Sequence, residues 1–209
     1  MTARARTEGA APLTRRQAAR REAILAAGTA LAADGGYEAV QMREVAERSG
    51  VALGTLYRYF PSKVHLLVAI MVARLDTLRE TVRHRPPAGE TAGERVTETL
   101  MRTFRALRRE PRLADAMLRA LHFADRSVST EVEQVLRLTT AIVLAPAGIT
   151  RPTPAQRSAV RVIEHTWYST LIAWASGRAT IEQVRTDLET ACRLLEPGGP
   201  GPGGDRPVE

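Results

Sequence analysis

The sequence predicts an all-α protein of about nine helices, a three-helix N-terminal unit followed by a helical body. Three observations carry this. Apolar residues recur at helical spacing over most of the 209 residues. No period-2 alternation runs long enough for a strand. Gly, Pro and capping residues fall at intervals of about one helix. Four segments follow from the pattern: an arm over residues 1–13, a first unit over 14–61, a body over 62–196 and a tail over 197–209.

The arm mixes Ala, Arg and Thr and is expected to be disordered. Thr14 then precedes a helix whose apolar stripe is Ile24, Leu25, Ala27, Leu31 and Ala32, and Gly35-Gly36 should stop it. A short helix is predicted at 42–49 and a second at 53–59, joined by the tight turn Gly50-Val51. Pro61 breaks the pattern, and Ser62 is placed to cap a helix running to about Arg85. His84 to Gly89, with Pro86-Pro87, reads as a linker. The body continues with helices at 91–109, 111–123, 129–145 and 154–176. Pro111 and Pro154 are good first-turn residues, and Gly177 closes the fourth helix. The last helix, Thr180 to Leu195, carries Ile181, Val184, Leu188, Ala191 and Leu195 spaced 3, 4, 3, 4. That spacing suits a seam with a partner subunit or an internal core equally. The tail is rich in Gly and Pro and is expected to be flexible.

Composition narrows the function. Apolar residues are 44% and charged residues 25%, an ordinary globular balance that excludes a disordered or collagen-like chain. The formal net charge is +7, and residues 1–85 hold +6 of it. The first unit can therefore attract a polyanion. Arg outnumbers Lys 29 to 1, so Arg abundance carries little weight and the lone Lys63 is the outlier. The single Cys192 cannot form an intramolecular disulfide and reads as an inert packing thiol. A reducing cytoplasm is the expected location. No apolar run resembles a signal peptide or reaches ~18 residues, so no membrane role is expected.

Enzymatic signals are poor. His65, His84, His122 and His165 are scattered without metal-ligand spacing. Glu164 and His165 are neighbours on a helix and point apart. No catalytic residue, metal or cofactor is predicted.

The informative block is Val45 to Phe60. Two short helices joined by a Gly-containing turn form the pattern of a helix-turn-helix, with Val45, Val51 and Leu56 locking it to the first helix. The outer residues Leu53, Gly54, Thr55, Tyr57 and Tyr59 are uncharged, which suits close approach to bases and phosphates. A generic helix pair explains the apolar spacing as well. Tyr57 reads equally as a core residue, and Arg48 and Arg58 as solvated charges.

Residues 36–67, with the run Gly-Thr-Leu-Tyr-x-x-Phe followed by Ser-Lys, strongly resemble the DNA-binding region of TetR-family repressors. The likeness extends to Phe123-Ala124-Asp125, Arg161-Val162-Ile163, Trp167 and Leu171-x-x-Trp174. These look like the branch of the family that represses sterol catabolism. The resemblance implies an all-helical homodimer that binds double-stranded DNA and senses a small molecule. On matching positions, Arg43 would read a base, Arg being suited to guanine O6 and N7. Gln41 would meet a base or phosphate, and Leu53, Gly54 and Thr55 would lead the recognition helix. Tyr57 and Tyr59 would meet the DNA backbone, and Lys63 would anchor a phosphate. Ala52 departs from the Ser or Thr common in relatives, a lost cap worth ~1 kcal/mol.

The resemblance also implies a hydrophobic effector, for this branch a sterol-derived CoA thioester. Candidate pocket residues are Met101, Phe104, Met117, Leu118, Leu121, Phe123, Trp167, Leu171 and Trp174, each of which also reads as plain core. Arg102, Arg105, Arg108, Arg109 and Arg112 would meet the effector's phosphates or form a solvated face. The last two helices are the expected dimer interface. Sensing of a drug or a fatty acyl-CoA, or a helical enzyme or adaptor that has lost DNA binding, are the alternatives.

Overall fold

The computed structural model describes residues 14–196. The predicted arm and tail, residues 1–13 and 197–209, lie outside the described residues. Among the described residues there are nine α-helices and no strand. They are α1 (Arg15–Ala39), α2 (Met42–Ser49), α3 (Leu53–Tyr59), α4 (Lys63–His84), α5 (Ala92–Arg109), α6 (Pro111–His122), α7 (Ser129–Ala147), α8 (Pro154–Ala175) and α9 (Ile181–Cys192). Single 3₁₀ turns lie at Arg126–Val128 and Arg193–Leu195.

The helix starts follow from side chains that satisfy free N–H groups. Thr14, Thr91 and Thr153 each form a reciprocal capping box with Gln17, Glu94 and Gln156. Ser62 caps α4 by accepting from the His65 N–H. The predicted stop at Gly35-Gly36 is a bend instead. Gly36 takes φ 71° and ψ −160°, and one more turn follows to Ala39. A left-handed φ suits glycine, and the bend redirects Tyr37 and Glu38. The α7 helix runs past the expected residue 145, carrying Pro146 in its last turn, and ends at left-handed Gly148.

Two apolar cores form. The first joins α1–α3 to α4, α6 and the start of α7 through Ile24, Leu31, Val45, Leu56, Leu67, Ile70, Leu113 and Met117. The second joins α5, α8, α9 and the end of α7 through Leu100, Phe104, Ile163, Val184 and Leu188. The α6 helix gives Leu113, Ala116, Met117 and Ala120 to the first core and Leu118 to the second. In α4, His65 to Ile70 are buried consecutively, so its first half is enclosed by α1, α6 and α7.

One expectation for α9 changes here. Val184, Leu188, Ala191 and Leu195 are buried in the second core against α5 and α8. The 3-4 stripe is therefore intramolecular packing and is not free to form a seam with a partner. Cys192 is buried beside it, and burial pushes its thiol up to about 11 against an opposing hydrogen bond with Thr97. Glu196, just after the last 3₁₀ turn, is tied to the start of α5. The Gly93 N–H donates to Glu196 Oε1 at 2.8 Å. A Cβ on Gly93 would lie 2.7 Å from that oxygen and 2.8 Å from the Cys192 carbonyl.

Glu164 and His165 diverge as expected. Glu164 is half-buried and accepts from the Thr140 hydroxyl of α7, while His165 is exposed. Burial raises the Glu164 carboxyl above its ordinary value of 4.5, partly opposed by Thr140, His165 and Arg161.

Two predictions follow from this packing. Phe104 is fully buried, edge-on to Trp174 at 5.1 Å between ring centroids. Phe104→Ala is expected to cost about 3–5 kcal/mol in denaturant unfolding; a residue lining an empty cavity would cost far less. Glu164 binds its proton more tightly in the folded chain than in the unfolded one. Its contribution therefore falls as pH rises from the ordinary carboxyl value through the raised one. Glu164→Gln keeps the acceptor for Thr140, so the variant should melt above wild type at neutral pH, with the gap closing in acid.

Candidate nucleic-acid interface

The site begins with a turn. Gly50 adopts φ 67° and ψ 27°, and its N–H and that of Val51 return to carbonyls of the last turn of α2. A left-handed residue here lets α3 leave α2 without a longer loop. Ala52 heads α3 with no side-chain cap, as its identity predicts. Packing replaces the cap: Leu56 is fully buried and Phe60 nearly so. The Arg21 guanidinium of α1 sits over the Phe60 ring at 5.6 Å. The Tyr59 hydroxyl donates to the Gln17 carbonyl at 3.4 Å, tying the end of α3 to the start of α1.

The leading edge of α3 faces outward. Gly54 is exposed, Leu53 and Thr55 are half-buried, and Tyr57 is 45% exposed, so Tyr57 is a surface residue and not core. A Cβ built on Gly54 meets nothing within 4 Å. The fold itself does not require glycine there. Arg43 is exposed on α2 and forms no ion pair among the described residues. Arg48 pairs with Glu44 at 2.8 Å and Arg58 donates to Thr55, so both are held locally.

Besides Thr55 and Tyr59, two more predicted DNA contacts have internal partners. Gln41 Nε2 donates to the Glu38 carbonyl at 2.8 Å. Lys63 Nζ donates to the Tyr37 carbonyl at 3.2 Å, lies 4.0 Å from the Tyr37 ring centroid and 3.8 Å from Glu38 Oε2. An ammonium has three donors, so Lys63 retains capacity for a phosphate.

The bend at Gly36 makes this a junction with the body. Arg119 of α6 pairs with Glu38 at 2.7 Å and stands 4.6 Å from the Tyr37 ring. Phe123 packs on the same ring at 5.6 Å. Burial raises the Tyr37 phenol, with Arg119 acting in the opposite direction. Arg112 donates to the Asp34 carbonyl. On the other side of α4, buried His65 meets Ser62 Oγ at 2.9 Å and the Ser127 carbonyl at 3.2 Å. Sequence reasoning misses Tyr37, Glu38, Arg119 and His65. Their contacts span as many as 81 positions and leave no periodic signal.

The effector residues divide. Met101, Phe104, Leu118, Trp167, Leu171 and Trp174 gather in or against the second core. Met117 and Leu121 belong with the first core. Phe123 joins neither core: it follows the last residue of α6, is 52% exposed and packs on Tyr37 and His122. Two clefts open on the body, of about 430 and 560 Å³, and none of the nine residues lines either. The first has apolar walls from Val82, Pro86, Pro87 and Ile142. Its cations are engaged: Arg79 and Arg83 pair with Glu80, and Arg95 donates to backbone carbonyls. Among the expected phosphate-binding arginines, Arg102 and Arg105 hold Glu98 at 2.9 and 3.2 Å. Burial would raise that carboxyl, but the two guanidiniums keep it below its ordinary value. Arg112 is engaged with Asp34, while Arg108 and Arg109 stand exposed.

No group of three His, Cys, Asp or Glu is gathered for a metal among the described residues, and no helix is long and apolar enough to cross a membrane.

Comparison with known proteins places this geometry. Residues 24–70 match the family of bacterial regulatory proteins, tetR family, and residues 89–195 match the tetracyclin repressor-like C-terminal domain. The HTH-type transcriptional repressor KstR of Rhodococcus jostii is 45% identical over 179 residues, covering 86% of this chain and 84% of that protein. A TetR transcriptional regulator from Rhodococcus sp. RHA1 superposes with a TM-score of 0.81 at 37% identity, over 86% of this chain and 97% of that one. The Thermus thermophilus repressor FadR, solved in complex with lauroyl-CoA, superposes with a TM-score of 0.66 at 25% identity, over 88% and 100%. The chain belongs to the TetR family of bacterial transcriptional regulators, and within it is similar to the KstR repressors.

Proposed function

We propose that the chain is a ligand-responsive repressor that acts in the cytoplasm. A dimer would hold a pseudo-palindromic operator through α2 and α3, and a sterol-derived CoA thioester would release it. The observation that carries the DNA reading is the bare edge of α3. Gly54 has open space on its outer side, and Leu53, Thr55 and Tyr57 beside it are uncharged and accessible. A glycine kept at Gly54 without internal need suits a surface approached closely from outside. Gln41, Arg43, Tyr59 and Lys63 supply the flanking polar contacts.

Residues 14–61 form the reading head in this proposal and 62–196 the sensing and dimerising body. The outer faces of α8 and α9, with exposed Val162 and Ile181, meet the partner subunit. A two-fold pair then presents two copies of α3 to two half-sites. The effector enters by opening the second core around Phe104, Trp167 and Trp174. Release requires that it prefer the state that cannot hold DNA. The sterol class rests on the sequence likeness to the KstR branch. A fatty acyl-CoA is the second reading, favoured by the lauroyl-CoA complex of the Thermus neighbour.

A labelled duplex from upstream of the protein's own gene, titrated by fluorescence polarisation, tests both readings. Tight binding abolished by a sterol-derived acyl-CoA, but not by lauroyl-CoA, supports the first. The reverse selects the second, and failure to bind any duplex in an unbiased selection defeats the repressor itself. Gly54→Ala separates DNA contact from folding. A helical Ala in place of Gly is expected to raise stability by up to ~1 kcal/mol, yet operator affinity should fall. Melting and polarisation of the same preparation check the two halves.

A further inference from the structure

Glu38 lies between two cations with different duties. Its Oε1 is 2.7 Å from Arg119 of α6, and its Oε2 is 3.8 Å from Lys63 at the start of α4. The carboxylate is largely exposed, while Lys63 is mostly covered and stands against the Tyr37 ring. Arg119 stands over that ring too, at 4.6 Å. Arg119 thus takes the short pairing and leaves Lys63 the long one. Without it, the nearest cation to Glu38 would be Lys63. Closing a gap of about an ångström would turn the ammonium toward the carboxylate.

We propose that Arg119 is a positioning residue for DNA binding: by taking the short pairing with Glu38 it leaves the Lys63 ammonium only loosely held, by the Tyr37 carbonyl and a 3.8 Å approach to Glu38, with a donor left for a phosphate. This rests on the reading of Lys63 as a DNA contact. The three side chains carry a net charge of about +1 together, and about zero once Arg119 is withdrawn. Because α6 is packed into both cores, the availability of Lys63 is governed by the body as well as by the head.

The chain supplies its own probe. Lys63 is its single lysine, so protein labelled with ¹⁵N-lysine gives one side-chain ammonium resonance. In the free protein, Arg119→Gln should move that resonance, and Arg119→Gln combined with Glu38→Gln should return it toward wild type. In polarisation titrations at several salt concentrations, Arg119→Gln and Arg119→Ala should weaken operator binding about five- to tenfold and lower the salt slope by about one phosphate's worth. Adding Glu38→Gln should restore both. In a Lys63→Ala background, Arg119→Gln should have no further effect.

Three results overturn the proposal. One is a Lys63 resonance that ignores Arg119→Gln. Another is a loss of affinity equally large in the Lys63→Ala background, which would mean simple through-space charge. The third is a double variant with Glu38→Gln that stays weak, which would mean that the pair only docks α1 on α6. A resonance that moves as expected in a protein that binds no duplex keeps the charge competition, but overturns its purpose together with the repressor reading.

Discussion

A helix of seven residues cannot hold itself in water, because nucleation costs more than so few hydrogen bonds return. The α3 helix is such a segment and lacks even a side-chain cap at Ala52. Its shape is borrowed from the first core through Leu56, with Phe60 closing the end beneath Arg21. Gly54 and Tyr57 are thereby relieved of packing duty, while Leu53 and Tyr59 still lean on that core. That relief is what permits a bare glycine and two accessible hydroxyl-bearing side chains on one edge. Whatever disturbs the α1–α4 packing under Leu56 disturbs the reading surface, however far from it the disturbance begins.

The same core explains why the head is not an independent bead on a linker. Its apolar residues continue without interruption into α4, α6 and α7, and His65 bridges the start of α4 to the turn before α7. The α6 helix belongs to both cores at once. Close-packed interiors respond to displacement by shifting as units and not by local softening. A change in the second core therefore has a mechanical route to α1, through side chains already in contact. Tyr37, Glu38 and Lys63 stand at the end of that route.

Element boundaries were legible because they depend on neighbours in sequence. Thr14, Ser62, Pro111, Pro154 and Gly50 mark helix ends through local hydrogen bonding and backbone shape, and all five act where expected. Gly36 deceived because a left-handed residue bends a chain as readily as it ends a helix. The face a stripe presents was not legible. The α9 spacing suits a partner subunit and the body's own α5 equally, and only three-dimensional packing decides. Phe123 stands outside both cores for a related reason: an aromatic beside core residues in sequence lies past the end of α6, where the stripe no longer points inward. At the candidate interface, the motif marks Lys63 and Gln41 as expected contacts. Their engagement with Tyr37 and Glu38 depends on the Gly36 bend, which no spacing reveals.

The contact between Gly93 and Glu196 joins residues 103 positions apart. Almost the whole body, from the first turn of α5 to the last turn after α9, is thus a circuit whose two ends meet. Bringing such distant segments together carries an entropic cost that precedes any gain from their contact, and long-range contacts slow folding. The first core is hardly nearer in sequence: α1 packs extensively on α6, and Glu38 and Arg119 pair across 81 positions. On a chain emerging from the ribosome, α1 to α3 must wait for α6 and the start of α7 before their apolar side is covered. A half-made chain therefore carries no finished α3 surface, and the two cores mature close together.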